Sequence, residues 1–189
     1  MSARYDADWI NTLLDENRLD GVDPKEILAD LGIRSGQTVV DYGCGPGYFT
    51  LAAAQMVGPT GRVFGIDIES SMVSFAAKKV SDAGFTNVEV GLSDGISAPV
   101  PDSTAHYVVC ALVMHYRETQ EDRISIIRDV ARILRPNGAV MFIQWKAEHQ
   151  STTGISYNSL FDIASQVGLV CDGPYYASDR QYKAIAKKQ

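Results

Sequence analysis

The chain is poor in several things, and each shortage narrows what it is. Its three cysteines, Cys44, Cys110 and Cys171, are spread over 189 residues with no C-x-x-C spacing. That pattern suits neither a disulfide framework nor a structural zinc site, so the expectation is reduced thiols and no metal. Long apolar runs are also missing. Even Tyr107–Met114 is bounded by His106 and His115, short of the roughly 18–20 residues of a membrane span. The N-terminus carries Arg4, Asp6 and Asp8 where a secretory signal has an apolar stretch, so a soluble, cytoplasmic protein is expected. Basic residues are outnumbered 17 to 23, for a formal charge of −6, the wrong sign for binding nucleic acid through its phosphates. There is no internal repeat, no low-complexity segment and no Pro/Gly/Ser-rich linker. One domain over residues 1–189 is the expectation.

What is present reads as an alternation of strands and helices. With 46% hydrophobic and 21% charged residues, the chain has the balance of a folded domain with a sizeable core. Trp9, Ile10, Leu13 and Leu14 recur at helical spacing, giving an N-terminal helical segment within residues 1–20. Asp23 and Pro24 open a second helix that Gly32 ends. Strands are expected at Thr38–Asp41, Arg62–Asp67, Asn87–Leu92, Tyr107–Leu112 and Ala139–Trp145. Helices are expected at Phe49–Val57, Ser70–Ala83, Glu121–Leu134 and Tyr157–Val167. The last two strands, Leu169–Tyr175 and Gln181–Ala186, are joined by too short a link for a helical crossover, so they form an antiparallel edge hairpin. The fold class is α/β: a doubly wound, Rossmann-like, seven-stranded sheet, mostly parallel with an antiparallel C-terminal edge hairpin.

Chemistry-bearing residues gather at the strand ends. Val39-Val40-Asp41 runs into the glycine turn Gly43-Cys44-Gly45-Pro46-Gly47, where absent Cβ atoms allow a sharp turn and close approach of a ligand. In a doubly wound sheet that turn lies at the carboxyl edge, where ligands bind. Asp67 ends the next strand, about twenty residues on, the place of a carboxylate that accepts ribose hydroxyls. Ser93 and Asp94 follow the third strand, positioned for an adenine amino group. Each feature has a plainer reading as a tight turn or a helix cap, but three at successive strand ends point to a nucleoside cofactor.

These residues resemble the class I S-adenosylmethionine-dependent methyltransferases, from about Val22 to the C-terminus. The matching motifs are Asp41-Tyr42-Gly43-Cys44-Gly45-Pro46-Gly47, Gly65-Ile66-Asp67, Leu92-Ser93-Asp94, Val108–Tyr116 and Ile133-Leu134-Arg135-Pro136-Asn137-Gly138. The look is nearest to the small-molecule branch that includes ubiquinone and menaquinone biosynthesis methyltransferases. The resemblance implies S-adenosylmethionine as cofactor and S-adenosylhomocysteine as product. It implies that Asp41, Gly43, Cys44, Gly45 and Gly47 surround the methionine part, and that Asp67 holds the ribose. Ile68 and Met72 would flank the adenine, Ser93 and Asp94 would meet its edge, and Cys110 and Ala111 would line the methionyl side. One departure stands before the fourth strand, where relatives often carry an aromatic-aspartate pair and this chain has Ala105-His106.

A sulfonium donor is already activated, so no obligatory catalytic dyad is expected. His115, in the loop after the fourth strand, is the candidate base or acceptor contact, its ordinary pKa suiting proton removal near neutrality. Tyr116, Trp145 and His149 are further acceptor candidates, with Tyr5 and Trp9 as an aromatic lid. No Asn/Asp-Pro-Pro-aromatic run follows the fourth strand, which counts against amino-group methylation of adenine or glutamine. The expectation is methyl transfer by in-line displacement to a small hydrophobic or aromatic acceptor, by a monomer or homodimer. The competing readings are a non-catalytic S-adenosylmethionine-binding module and an NAD-type oxidoreductase, whose G-x-G-x-x-G spacing this loop lacks.

Overall fold

The computed structural model describes residues 23–117, 119–146 and 155–189, with Tyr116 through its backbone alone. The N-terminal helix, the lid residues Tyr5 and Trp9, and His149 lie outside the described residues. Seven strands form one sheet: β1 (Thr38–Tyr42), β2 (Arg62–Asp67), β3 (Val88–Leu92), β4 (Ala105–Ala111), β5 (Leu134–Trp145), β6 (Leu169–Tyr176) and β7 (Gln181–Lys188). Their order is β3-β2-β1-β4-β5-β7-β6. Every pairing from β3 to β5 is parallel, and β7 runs antiparallel to both β5 and β6. The expected hairpin is there. Within it the reversed strand, β7, is inserted beside β5, and β6 takes the edge.

Among the described residues five α-helices accompany the strands: α1 (Pro24–Leu28), α2 (Tyr48–Val57), α3 (Ser70–Asp82), α4 (Gln120–Ile133) and α5 (Tyr157–Gln166). Two buried clusters, one on each face of the sheet, hold the layers together. On one face Ile27, Leu28, Phe49, Ala53 and Val57 of α1 and α2 pack on Val39, Val63, Val109 and Met141. On the other, Ile126, Ile127, Val130 and Ile133 of α4 and Leu160 and Ile163 of α5 pack on Val40, Val108, Val140 and Phe142. The alternation Val39/Val40 and Val140/Met141 is the period-2 signature of a strand buried on both sides. In α3 the buried residues are Met72, Ala76 and Val80, four apart, as one helical face requires. No helix among the described residues is long and apolar enough to cross a membrane.

The element ends depart from the sequence-based expectation for identifiable reasons. The Asp23 carboxylate accepts from the Lys25 amide at 2.8 Å, but α1 lasts only five residues before a 3₁₀ turn that Gly32 closes at φ 66°. Helix α4 starts at Gln120, capped by Thr119 and Asp122 in a reciprocal capping box. It ends at Ile133, and Leu134 is already strand, so Pro136-Asn137-Gly138 lies inside β5 rather than stopping the helix. The sheet absorbs that insertion as a register shift between Ala105 and Tyr107. At the far end β7 runs on to Lys188, whose ammonium donates to the carbonyls of Ala131 and Leu134 at 2.7 and 2.6 Å. It thereby caps α4.

Candidate cofactor and acceptor site

Strand order reverses between β1 and β4, and the carboxyl ends of those strands form the crevice that such a switch creates. The glycine turn sits in it. Gly43 and Cys44 donate their amides to the Ile66 carbonyl at 2.7 and 3.0 Å, which ties the turn to the end of β2. Gly43, Gly45 and Gly47 have φ of 78°, 51° and 89°, the left-handed region that glycine enters without strain. A Cβ on Gly43 would stand 2.4 Å from Val113 Cγ2 in the loop after β4, and one on Gly47 would stand 3.3 Å from Ala76 Cβ on α3. The turn is thus fitted against both sides of the crevice.

Two carboxylates are fixed around it. Asp41 is buried and accepts from Thr50 Oγ1 of α2 at 2.6 Å. Gly65 keeps that corner open, since a Cβ there would meet Thr50 Oγ1 at 3.0 Å. Asp67 accepts from the Gly45 amide through Oδ2 at 2.8 Å and from the Glu69 amide through Oδ1 at 3.0 Å. It therefore bridges the glycine turn to the start of α3, serving as a turn brace as well as a candidate ribose ligand. Burial lifts its carboxyl above the usual value, against the opposing pull of the Glu69, Gly45 and Ile68 amides.

The loop after β3 forms another wall. Asp94 is exposed and accepts from the amides of Ile96 and Ser97, both at 2.8 Å and both through Oδ1, which holds it below its ordinary pKa. Ser93 Oγ accepts from the Gly95 amide at 3.1 Å and donates to the Ser97 carbonyl at 3.2 Å. Both side chains brace the loop itself. Arg117 reaches over from the loop after β4, with Nη2 3.4 Å from the Gly95 carbonyl. A Cβ on Gly95 would touch Ile68 Cγ2 at 3.4 Å and Arg117 Nη2 at 3.5 Å, so Ile68, Gly95 and Arg117 adjoin. Met72 is fully buried under α3.

Beneath this loop runs a polar tie that sequence reasoning missed. Asp129, buried on α4, accepts from Tyr42 Oη at 3.1 Å, from the Ala98 amide at 2.7 Å and from Arg132 Nε at 2.7 Å. Arg132 also donates to the carbonyls of Ala98 and Val100 and to Asp102 Oδ1. The end of β1 and the loop after β3 are thereby clamped to one helix. The only trace in sequence is an acid at a helix position otherwise flanked by core residues.

The thiols are not poised as nucleophiles. Burial, reinforced by the nearby Asp41 and Asp67 charges, pushes the Cys44 thiol far up, and burial with Asp41 does the same to Cys110. Cys110 faces the α4 side of the sheet with Val108 and Met114, whereas Asp41 bonds to α2 on the opposite face. Ala111 closes β4.

Beyond Ala111 the backbone is strained. Leu112 has φ 57°, costly for a side chain with a Cβ, and leads into the 3₁₀ turn Met114–Tyr116. His115 lies in that turn. Burial draws its imidazole down to about 4, which corrects the expectation of an ordinary pKa: the ring is neutral at pH 7 and a weak base. Trp145 ends β5, half-buried, with the Arg180 guanidinium 5.7 Å from its ring centroid. The register Trp145↔Gln181 puts the β6–β7 turn at the same edge of the sheet. His106, by contrast, lies at the opposite end of β4, where Nδ1 accepts from the Thr38 amide at 3.1 Å. The departure from the aromatic-aspartate pair is thus a strand-to-strand tie outside the site.

A glycine turn cradled against two loops, with one carboxylate at the end of each of two adjacent parallel strands, defines a Rossmann-like nucleoside-cofactor domain. The chain belongs to the methyltransferase-domain family, whose profile it matches over residues 33–187, and its cofactor is S-adenosylmethionine. Among solved structures, a SAM-dependent methyltransferase from Aquifex aeolicus superposes with a TM-score of 0.88 at 27% identity, covering 98% of this chain and 100% of that one. Among curated proteins, demethylmenaquinone methyltransferase of Anoxybacillus flavithermus is 28% identical over 120 residues, 64% of this chain and 49% of that protein. The Staphylococcus aureus enzyme of the same name is 30% identical over 120 residues, 64% of this chain and 48% of that protein. The match thus spans about half the length of these curated relatives.

Proposed function

We propose that the protein is an S-adenosylmethionine-dependent methyltransferase acting on a small hydrophobic or aromatic acceptor. The observation that carries this reading is the carboxyl-edge crevice, in which the glycine turn is bonded to Ile66, bridged by Asp67 and pressed against Val113. The cofactor supplies, when bound, a methyl group on a sulfonium that needs no further activation. The work left to the chain is to bind, to orient and to keep water out.

In this reading Gly43, Cys44, Gly45 and Gly47 line the methionine end with Asp41 below them, and Cys110 and Ala111 border it from β4. Asp67 accepts from the ribose hydroxyls. Ile68 and Met72 pack beside the adenine, with Ser93 and Asp94 at its edge. Asp94 gives Oδ1 to the Ile96 and Ser97 amides of its own loop, and its exposed carboxylate meets the adenine amine. Gly95 and Arg117 complete that wall. His115, neutral and partly buried, is a hydrogen-bonding contact for the acceptor more than a strong base. Tyr116, Trp145 and His149, with Tyr5 and Trp9 as lid, remain the proposed acceptor surroundings, and a cytoplasmic monomer or homodimer remains the proposed setting. The names of the curated relatives favour a quinone-like aromatic acceptor.

The test is an acceptor screen that follows S-adenosylhomocysteine production, preceded by mass spectrometry of co-purified ligand. Turnover of any hydrophobic or aromatic acceptor supports the proposal. Tight S-adenosylhomocysteine binding with no turnover across the panel points to a binding module, and nicotinamide dinucleotide binding in its place points to an oxidoreductase.

A further inference from the structure

Gln144 is buried completely, one residue before the end of β5, and among the described residues neither Oε1 nor Nε2 of its amide has a hydrogen-bond partner. Buried amides are nearly always paired, because an unmade hydrogen bond in apolar surroundings is worse than an apolar side chain of the same shape. Arg123 also has a buried unpaired atom, but it is Nε alone on a side chain that is partly exposed. Gln144 leaves a whole donor and acceptor pair unmet.

Its described neighbours on the two flanking strands are engaged elsewhere. On the β7 side it stands in register with Tyr182, whose hydroxyl proton goes to the Ile155 carbonyl at 2.9 Å and so does not serve Oε1. On the β4 side the pairing ends at Ala111↔Ile143. The next residue, Leu112, donates its amide to the Ile143 carbonyl at 2.8 Å and turns out of the sheet at φ 57°. Strand alternation puts Gln144 on the face of Phe142, Cys110 and Met114, and Met114 opens the turn that carries His115. An unsatisfied amide therefore lies in an apolar setting at the carboxyl end of the sheet, next to the point where β4 leaves it.

We infer that Gln144 reads the acceptor, its amide pairing with a hydroxyl or carbonyl oxygen on an otherwise apolar ring. This rests on the methyltransferase reading of the site and deepens it by naming the acceptor class: oxygen-substituted, not bare hydrocarbon. A site with a buried hydrogen-bonding group discriminates strongly against ligands that lack the matching group, because that group is then left unpaired. The amide donates through Nε2 to a carbonyl and accepts through Oε1 from a hydroxyl, so either substituent satisfies part of it.

The experiment uses the full chain loaded with S-adenosylhomocysteine and matched fragments differing in one substituent: 1-naphthol against 1-methylnaphthalene, and p-cresol against p-xylene. Binding is followed by ligand-observed NMR. The wild type is expected to prefer the hydroxylated member about tenfold or more. Gln144→Met is expected to abolish that preference while leaving S-adenosylhomocysteine affinity unchanged and Tm undiminished, since it removes an unpaired buried amide. Gln144→Asn keeps the amide but withdraws it by one methylene and is also expected to lose the preference, a check if the Met variant folds poorly. Absence of preference in the wild type, including absence of binding by either member, overturns the inference, as does full preference in both variants. Failure of the wild type to bind S-adenosylhomocysteine overturns the methyltransferase reading itself, and is distinguished by calorimetry on the same samples.

Discussion

Replacing Gly43 with alanine tests the crevice where its two sides meet. The residue has φ 78°, and a Cβ there would fall 2.4 Å from Val113 Cγ2, with Val113 Cβ at 3.6 Å and Cγ1 at 3.7 Å. Of the two other staggered Val113 rotamers, one returns a methyl to that site and the other puts Hβ there, so relief requires the side chain to leave its present rotamer. The left-handed backbone costs an alanine about 1–2 kcal/mol, and overpacking adds about 1–3 kcal/mol, for a total of about 2–5 kcal/mol. In a domain of this size that lowers Tm by about 4–20 °C. Val113→Ala in the same chain removes the opposing methyls but leaves the backbone strain. The double variant should thus recover the overpacking part, a coupling of about 1–3 kcal/mol, and remain about 1–2 kcal/mol below Val113→Ala alone. Thermal melts of the four proteins, with S-adenosylhomocysteine calorimetry alongside, give the cycle. A Gly43→Ala protein with wild-type Tm and affinity, or a double variant with no recovery, would refute the claim that the β1 and β4 loops are fitted to each other.

Thr50→Val removes the donor to Asp41 Oδ2; it should lower stability by about 1–3 kcal/mol, measured by urea unfolding, with Thr50→Ser retaining wild-type behaviour. Asp129→Ala opens the clamp on Tyr42, Ala98 and Arg132, and because Arg132 is partly exposed the loss should be about 3 kcal/mol, with faster hydrogen exchange at residues 97–102. The depressed pKa of His115, about 4, means that the unfolded chain takes up a proton before the native one. Its contribution to stability is complete above about pH 6.5 and is lost as pH falls towards 4. Melts of His115→Asn should therefore show a flatter Tm profile across that window than the wild type, and parallel profiles would count against the burial of the ring.

Most of the frame was legible because it rests on local patterns. The period-2 and period-3.6 runs give the strands and helices, and the short link between the last two strands forces an antiparallel pair. The glycine turn and Asp67 were legible for the same reason, since backbone freedom and a strand-end acid are sequence-local. What was hidden depends on tertiary placement. No local signal tells that Lys188 caps α4, that Asp129 clamps the loop after β3, or that β7 inserts beside β5. The altered pKa of His115 arises from burial by distant residues, so its ordinary value was the natural expectation. Gln144 reads as one more residue of an apolar strand until Leu112 is seen turning away from it.

In the proposed site, Asp67 is the residue that joins cofactor to crevice. Calorimetric titration of S-adenosylhomocysteine into wild type and Asp67→Ala tests this most directly. The expected result is tight binding by the wild type and a loss of about 1–3 kcal/mol in the variant, the scale of hydrogen bonds to a charged group. Equal affinity in the two proteins, or no binding by the wild type, would contradict it.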